Sequence, residues 1–156
     1  MTEDEVLRKE LTALLAGGQA HLGFQAVESF PRVEYNTHIP NMDFTFWHLL
    51  EHIRVAQRDI LDFIIDPDYK EMQWPEDYWP AKDLMCTDAD WQKTWDMIQA
   101  DQSRLRLLVN DPSIKLASPL PNAPKYTYLR EILLVADHNA YHLGEFAIAR
   151  GILGLW

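Results

Sequence analysis

The sequence predicts an all-α protein: a four-helix bundle with long crossover loops, formed by a single domain over residues 1–156. Three observations lead to this prediction. Apolar residues recur at three- and four-residue steps in four segments, which is the period of an amphipathic helix. Two long proline-rich loops interrupt the helical pattern. No segment alternates polar and apolar residues as a half-buried strand does, so a sheet is not expected.

The first helix is expected to begin after Thr2, because Thr2-x-x-Glu5 has the spacing of a capping box. Gly17-Gly18 is expected to end it, since glycine readily adopts the backbone conformation that closes a helix. A short second piece, roughly residues 21–30, is predicted to continue in a new direction before Pro31. The apolar period of the first helix is carried by Val6, Leu7, Leu11, Leu14 and Leu15.

The second long helix is predicted to start near Asn41 or Asp43, since either residue is a good N-cap, and to run to about Ile65. Asp66-Pro67 then stops it, because proline disfavours a helical residue before it. A loop of this length, residues 66–86, is unusual in a compact domain and is typical of functional segments. Its aromatic residues predict a packed flap over the helices: Trp74, Tyr78 and Trp79.

Thr87-x-x-Asp90 predicts the start of the third helix, which should end at Asp111-Pro112. A second proline-rich loop follows. The last helix is expected to run from about Thr127 to Arg150, with Gly151 marking its end. The apolar segment 151–156 is predicted to be buried, because an exposed stretch of this kind favours aggregation.

The net charge of the chain makes some kinds of binding partner unfavourable. A net charge of −10 repels phosphate backbones and anionic membrane surfaces, so we expect neither nucleic acid nor membrane as a partner. The first residues do not resemble a signal peptide, and no stretch approaches the roughly 20 apolar residues that cross a bilayer. A cytoplasmic location is therefore expected. Cys86 is the single cysteine, which excludes an internal disulfide, and we interpret it as structural or incidental.

Four of the six histidines form two pairs with four-residue spacing, His48 with His52 and His138 with His142. Because a helix turns about 100° per residue, this spacing places two side chains within roughly 40° on one face. Two imidazoles can then hold one ion, and a facing helix can complete a platform that leaves positions open. The spacing alone allows three or four histidine ligands. The simpler alternative is a bundle with buried, hydrogen-bonded histidines and no metal.

Several polar residues share the faces of the predicted histidine cluster. Asp59 lies two turns beyond His52 on the same helical face. On the last helix, Glu145 and Asp137 are near enough to orient the histidines, and Tyr141 precedes His142. Asp59, Tyr141 and Glu145 are the candidates for orienting a ligand or relaying a proton, although each side chain can equally be an ordinary packed residue.

Two segments resemble the signature helices of the DinB-like (YfiT-like) superfamily. These are residues 45–61, TFWHLLEHIRVAQRDIL, and residues 136–145, ADHNAYHLGE, which run on to residues 150–154. The turn at residues 17–21 and the loop at residues 74–80, WPEDYWP, look like one bacterial branch of that superfamily. The resemblance spans nearly the whole chain and implies a four-helix bundle.

The resemblance also implies a ligand set and a class of function. The first ligand falls on His52, the pair falls on His138 and His142, and His48 takes an accessory role. Members of the superfamily bind zinc, nickel or similar ions, and some transfer low-molecular-weight thiols such as bacillithiol or use mycothiol in an isomerisation. The expected function is that of a metal-dependent enzyme, a thiol S-transferase or a related hydrolytic or detoxifying activity on a small molecule. The alternative is a non-catalytic, stress-related metal- or ligand-binding bundle, which can form a homodimer.

Overall fold

The structure, a computed structural model, describes residues 1–17 and 23–156 and is mostly helical. Two short 3₁₀ turns, Gly23–Ala26 and Arg32–Glu34, follow the first helix. Within the described ranges, no helix is both long enough and apolar enough to cross a bilayer. The long helices in these ranges are α1 (Glu3–Ala16), α2 (Phe46–Ile65), α3 (Asp88–Asn110) and α4 (Tyr128–Ile152).

Each long helix begins after a threonine whose hydroxyl accepts a hydrogen bond from a backbone N–H in the first turn. The capping boxes predicted at Thr2 and Thr87 are confirmed. The predicted start of α2 at Asn41 or Asp43 is wrong, because its N-cap is Thr45. Backbone hydrogen bonds fold residues 39–44 into a turn, which delays the helix: the Ile39 N–H donates to the Phe44 carbonyl.

Helix α4 extends two residues beyond its predicted last residue, Arg150, since Gly151 does not end it and it continues to Ile152. The predicted burial of segment 151–156 is also wrong, as Ile152 and Trp156 are 67% and 61% exposed. The contacts of Arg150 with this segment show why it stays at the surface. The Arg150 guanidinium donates to the Leu155 carbonyl and lies 4.4 Å from the Trp156 ring, so the segment folds back on the helix end with only Leu155 packed inward.

The expectation of a protein without strands is wrong in one place. Pro119–Leu120 (β1) pairs antiparallel with Ala123–Thr127 (β2), inside the second proline-rich loop. A strand of two residues is too short to show an alternating pattern, which explains why the sequence does not reveal it. Leu120, in the hairpin, packs in the core and is only 2% exposed. The second strand ends at Thr127, which is the N-cap of α4.

Helix α2 packs against both α3 and α4, and α1 contacts the same two helices. The core has two parts. One surrounds Phe46 and Phe146, and the other surrounds Leu61 and Ile132, so residues of α2 and α4 meet in both. Apolar burial of this kind is the main favourable term in folding. The inward faces of α2 and α4, which carry the histidine pairs, are thereby held against each other.

The loop of residues 66–86 lies against α2, as the prediction of a packed flap requires. Tyr78 and Trp79 are partly buried. Trp74 does not follow the prediction, because it is 68% exposed. The loop is nevertheless fixed to α2 through both of its halves, since the hydroxyls of Tyr69 and Tyr78 both donate to the Asp59 carboxylate.

Candidate metal centre

Three histidines from two helices converge on one point. The Nε2 atom of His52, on α2, lies 3.1 Å from Nε2 of His142 and 3.2 Å from Nε2 of His138, both on α4. Nitrogen ligands about 2.0–2.1 Å from one ion lie roughly 3.3 Å from each other in a tetrahedral arrangement. The observed separations are close to that value. Within the described residues, these three histidines form a group that can hold a metal ion.

His48 is not part of this cluster, although the spacing of the sequence left a fourth ligand open. Its Nδ1 atom lies 2.6 Å from the Thr45 hydroxyl oxygen and accepts from the Thr45 N–H. Its Nε2 atom lies 3.1 Å from the Ala81 carbonyl oxygen. Both ring nitrogens are thus engaged. The accessory role of His48 is to cap α2 and to attach the loop to that helix.

In two of these histidines, the second ring nitrogen contacts an oxygen acceptor. Nδ1 of His52 lies 2.9 Å from the Tyr78 carbonyl oxygen, and Nδ1 of His142 lies 2.7 Å from a Glu145 carboxylate oxygen. These partners assign the proton to Nδ1 in both rings, which leaves a lone pair on each Nε2. When both rings are neutral, two lone pairs face each other across 3.1 Å. A cation between them removes this repulsion, and the donor set therefore fits a divalent metal ion.

Burial keeps two of the three imidazoles, those of His52 and His138, neutral. The pKa of His52 and that of His138 are both lowered from 6.5 to about 4, chiefly by desolvation, and the neighbouring histidines contribute to the lowering at His138. Among the described residues, Nδ1 of His138 has no hydrogen-bond partner. Neutral imidazole is the form that binds metal, so an ion does not have to displace protons from the rings of His52 and His138 at neutral pH.

The lowered pKa values predict how stability depends on pH. The unfolded chain binds a proton at each of these histidines near pH 6.5, whereas the folded protein binds it only near pH 4. Between these values the unfolded state holds more protons, so the free energy of unfolding decreases as the pH falls. We expect His52 alone to contribute a loss on the order of 3 kcal/mol across the window.

Denaturant titrations of metal-free protein at several pH values between these limits check this prediction. The variant His52→Gln should show a shallower dependence, because one of the two perturbed groups is gone. A free energy of unfolding that stays constant across the window in the wild-type protein would contradict the expected burial of neutral imidazoles.

The polar neighbours predicted from the sequence take different positions. Glu145 contacts His142 directly. Tyr141 is 65% exposed, its ring lies 4.8 Å from that of His142, and the Glu145 carboxylate raises the pKa of its phenol. Asp59 bonds to loop tyrosines rather than to a histidine. Asp137 is exposed and makes no hydrogen bond to a histidine among the described residues, so its predicted role in orienting them is not supported.

Two residues at the centre have roles that the sequence did not reveal. Trp79 stacks on His52, with the ring centroids 3.9 Å apart and the planes within 3°. The backbone carbonyl of Tyr78 accepts from the same imidazole. The aromatic content of the loop was a signal for packing. A backbone carbonyl, in contrast, leaves no mark in the sequence, because every residue has one.

Cys86 behaves as a structural residue, as predicted. It is buried, and its thiol donates to the Thr87 carbonyl oxygen over 3.0 Å. Burial raises the pKa of the thiol to about 12, so the reactive thiolate is not formed at neutral pH.

Comparison of the chain with models of known protein families, with curated proteins and with solved structures gives no match. Membership of the DinB-like superfamily therefore stays a prediction, based on the resemblance of residues 45–61 and 136–145.

Proposed function

We propose that the chain binds one divalent metal ion, zinc or nickel, through His52, His138 and His142, and that it is a metal-dependent enzyme of the DinB-like type. The observation that carries the proposal is the convergence of three Nε2 atoms, two of them with Nδ1 already bonded to an oxygen. Imidazole ligands suit zinc and nickel alike. We also propose that the fold is a DinB-like four-helix bundle, that the protein is cytoplasmic, and that its substrate is a small molecule.

The number of ligands favours a catalytic site over a structural one. Catalytic zinc sites usually have three protein ligands and a further position for water or substrate, whereas structural sites have four. A bound ion supplies a Lewis acid that lowers the pKa of a thiol or water molecule and so provides a nucleophile at neutral pH. The activity that we propose is thiol S-transfer with a low-molecular-weight thiol, or a related hydrolytic or detoxifying reaction.

The residues around the histidines have separate tasks in this proposal. Glu145 accepts from Nδ1 of His142 and so keeps the lone pair on Nε2. Trp79 covers one face of His52 and excludes water from it. Tyr141 is exposed beside His142, with a phenol that stays protonated at neutral pH, and can give a proton to a bound small molecule. Asp59 does not contact the histidines; it accepts hydrogen bonds from the loop residues Tyr69 and Tyr78 and so holds the loop beside them.

One observation favours a second candidate, a non-catalytic metal- or ligand-binding module that is stress-related and homodimeric. A charged thiol cofactor needs cationic groups to hold its carboxylates. Arg54 and Arg58 lie near the centre along α2, but Arg54 already bonds to Glu51 and Arg58 bonds to Asp62 and Asp101. These arginines are therefore not available as anion-binding groups.

Cobalt substitution separates the two candidates. We expect protein loaded with Co²⁺ to show visible absorption bands that shift when a small thiol is added, because a catalytic site has a position that the sulfur can occupy. The alcohol of the same carbon skeleton serves as the matched control and should leave the bands unchanged. Absorption bands that do not respond to thiol, together with metal release only on unfolding, would reject the enzyme in favour of the non-catalytic module.

A further inference from the structure

One tyrosine of the loop contacts α2 at two separate points. The hydroxyl of Tyr78 donates to Oδ2 of Asp59 over 2.6 Å, and its backbone carbonyl accepts from Nδ1 of His52 over 2.9 Å. His52 and Asp59 are seven residues apart, which is about 10 Å along a helix axis. Tyr78 therefore lies along the helix and connects a metal ligand with a carboxylate two turns away.

The carboxylate at the far end of this connection is itself fixed. Its other oxygen, Oδ1 of Asp59, accepts from the hydroxyl of Tyr69 over 2.8 Å. Desolvation, followed by the hydrogen bonds to Asp59, raises the pKa of both phenols. Both hydroxyls therefore remain donors at neutral pH. Hydrogen bonds to a charged acceptor are stronger than those between neutral groups, so Asp59 is a firm anchor for the loop.

The residues after Tyr78 continue the contact with α2. Trp79 stacks on His52 and lies 5.0 Å from Phe44, and the carbonyl of Ala81 meets Nε2 of His48. The His52 ring is thus restrained in two ways. The stack fixes the plane of the ring, and the Tyr78 carbonyl fixes which nitrogen carries the proton.

We propose that Asp59 is a positioning residue of the metal centre, which acts through Tyr78 to hold the carbonyl on Nδ1 of His52. Of the two roles that the sequence suggested for Asp59, orienting a ligand and relaying a proton, this is the first, exerted through Tyr78, because both carboxylate oxygens accept from tyrosine hydroxyls and neither contacts a histidine. The inference rests on the proposed function where it concerns metal affinity. The proton position on His52 is a property of the metal-free protein and can be tested independently.

Three variants of the full chain test the inference. Tyr78→Phe removes the hydroxyl but keeps the backbone carbonyl, and Asp59→Leu removes the acceptor. Tyr69→Phe is the matched control, because it removes the other hydrogen bond to the same carboxylate without touching the residue that contacts His52. We expect Tyr78→Phe and Asp59→Leu to weaken zinc binding by about tenfold or more, as loss of outer contacts to a ligand usually does. Tyr69→Phe should stay close to the wild type.

Zinc affinity is measured by competition with a chromophoric chelator. Long-range ¹H–¹⁵N spectra of the metal-free proteins report which nitrogen of His52 is protonated. We expect the Nδ1-protonated form in the wild type and in Tyr69→Phe, and a mixture of forms in Tyr78→Phe. Thermal unfolding verifies that each variant is folded. If Asp59→Leu does not fold, Tyr78→Phe decides alone, since it lacks only one oxygen atom.

The outcomes are distinct. Equal zinc affinity in Tyr78→Phe and the wild type, with the same proton position on His52, overturns the inference. Equal weakening in Tyr78→Phe and Tyr69→Phe also overturns it, because the carboxylate then has only a general structural effect. If the wild type does not bind zinc at all, the proposed function fails, and the spectra of the metal-free proteins still decide whether Asp59 positions His52.

Discussion

Replacing His52 by alanine is expected to weaken zinc binding by more than about a hundredfold, because it removes a ligand rather than an outer contact, whose loss costs about 10- to 100-fold. His52 is the only ligand that α2 supplies among the described residues that form the cluster. With it gone, the ion is held by one helix alone through His138 and His142.

His48→Ala is the matched control, since it removes an imidazole one turn earlier on the same helix. We expect it to change zinc affinity far less, because His48 is not in the cluster. It should instead lower the free energy of unfolding by about 1 kcal/mol, since it removes half of the capping box of α2. Isothermal titration with zinc and denaturant unfolding measure the two quantities. Equal losses of zinc affinity in the two variants would contradict the assignment of the ligands.

Zinc at a hundredfold excess over its dissociation constant is expected to raise the free energy of unfolding by about 2.7 kcal/mol. For a chain of this length the corresponding increase in Tm is roughly 5–10 °C. The reason is that the ligands on α2 and α4 meet only in the folded protein, so the ion binds the folded state preferentially. Differential scanning calorimetry with and without zinc measures the shift, and a chelator should reverse it.

Two controls separate this effect from weak binding of cations to an acidic surface. Magnesium carries the same charge but prefers oxygen ligands, so it should leave Tm nearly unchanged. His138→Ala should abolish the response to zinc, because it removes a ligand without altering the net charge at neutral pH. An unchanged Tm at zinc concentrations that fill the site would favour the simple alternative, a bundle with buried histidines and no metal.

The parts of the fold that the sequence predicted correctly depend on local patterns. The capping boxes at Thr2 and Thr87 are recognised by two residues at a fixed spacing, and both are present in the structure. The start of α2 was misplaced because Asn41 and Asp43 have the same local preference as Thr45. Only the backbone hydrogen bonds of residues 39–44 distinguish among the three.

In the candidate site, too, features with a local sequence pattern could be predicted and contacts with the irregular loop could not. Helical spacing placed His52, His138 and His142 on inward faces, and the cluster in the structure agrees. Spacing could not separate His52 from His48, because both lie on the same face of α2; the resemblance made that choice. The contacts of Asp59 with Tyr69 and Tyr78 could not be predicted, since an irregular loop has no period from which to infer where its side chains lie.

The three histidines differ in how far apart they lie along the chain. His138 and His142 are one helical turn apart, so this half of the site exists as soon as that turn forms. His52 precedes His138 by 86 residues and joins them only after α2 and α4 have docked. Binding through His138 and His142 therefore requires only that α4 has formed, whereas binding through His52 requires that α2 has packed against α4. A change in coordination from two to three histidines during refolding would mark the moment at which α2 docks on α4 and the 86-residue loop between His52 and His138 closes around the ion.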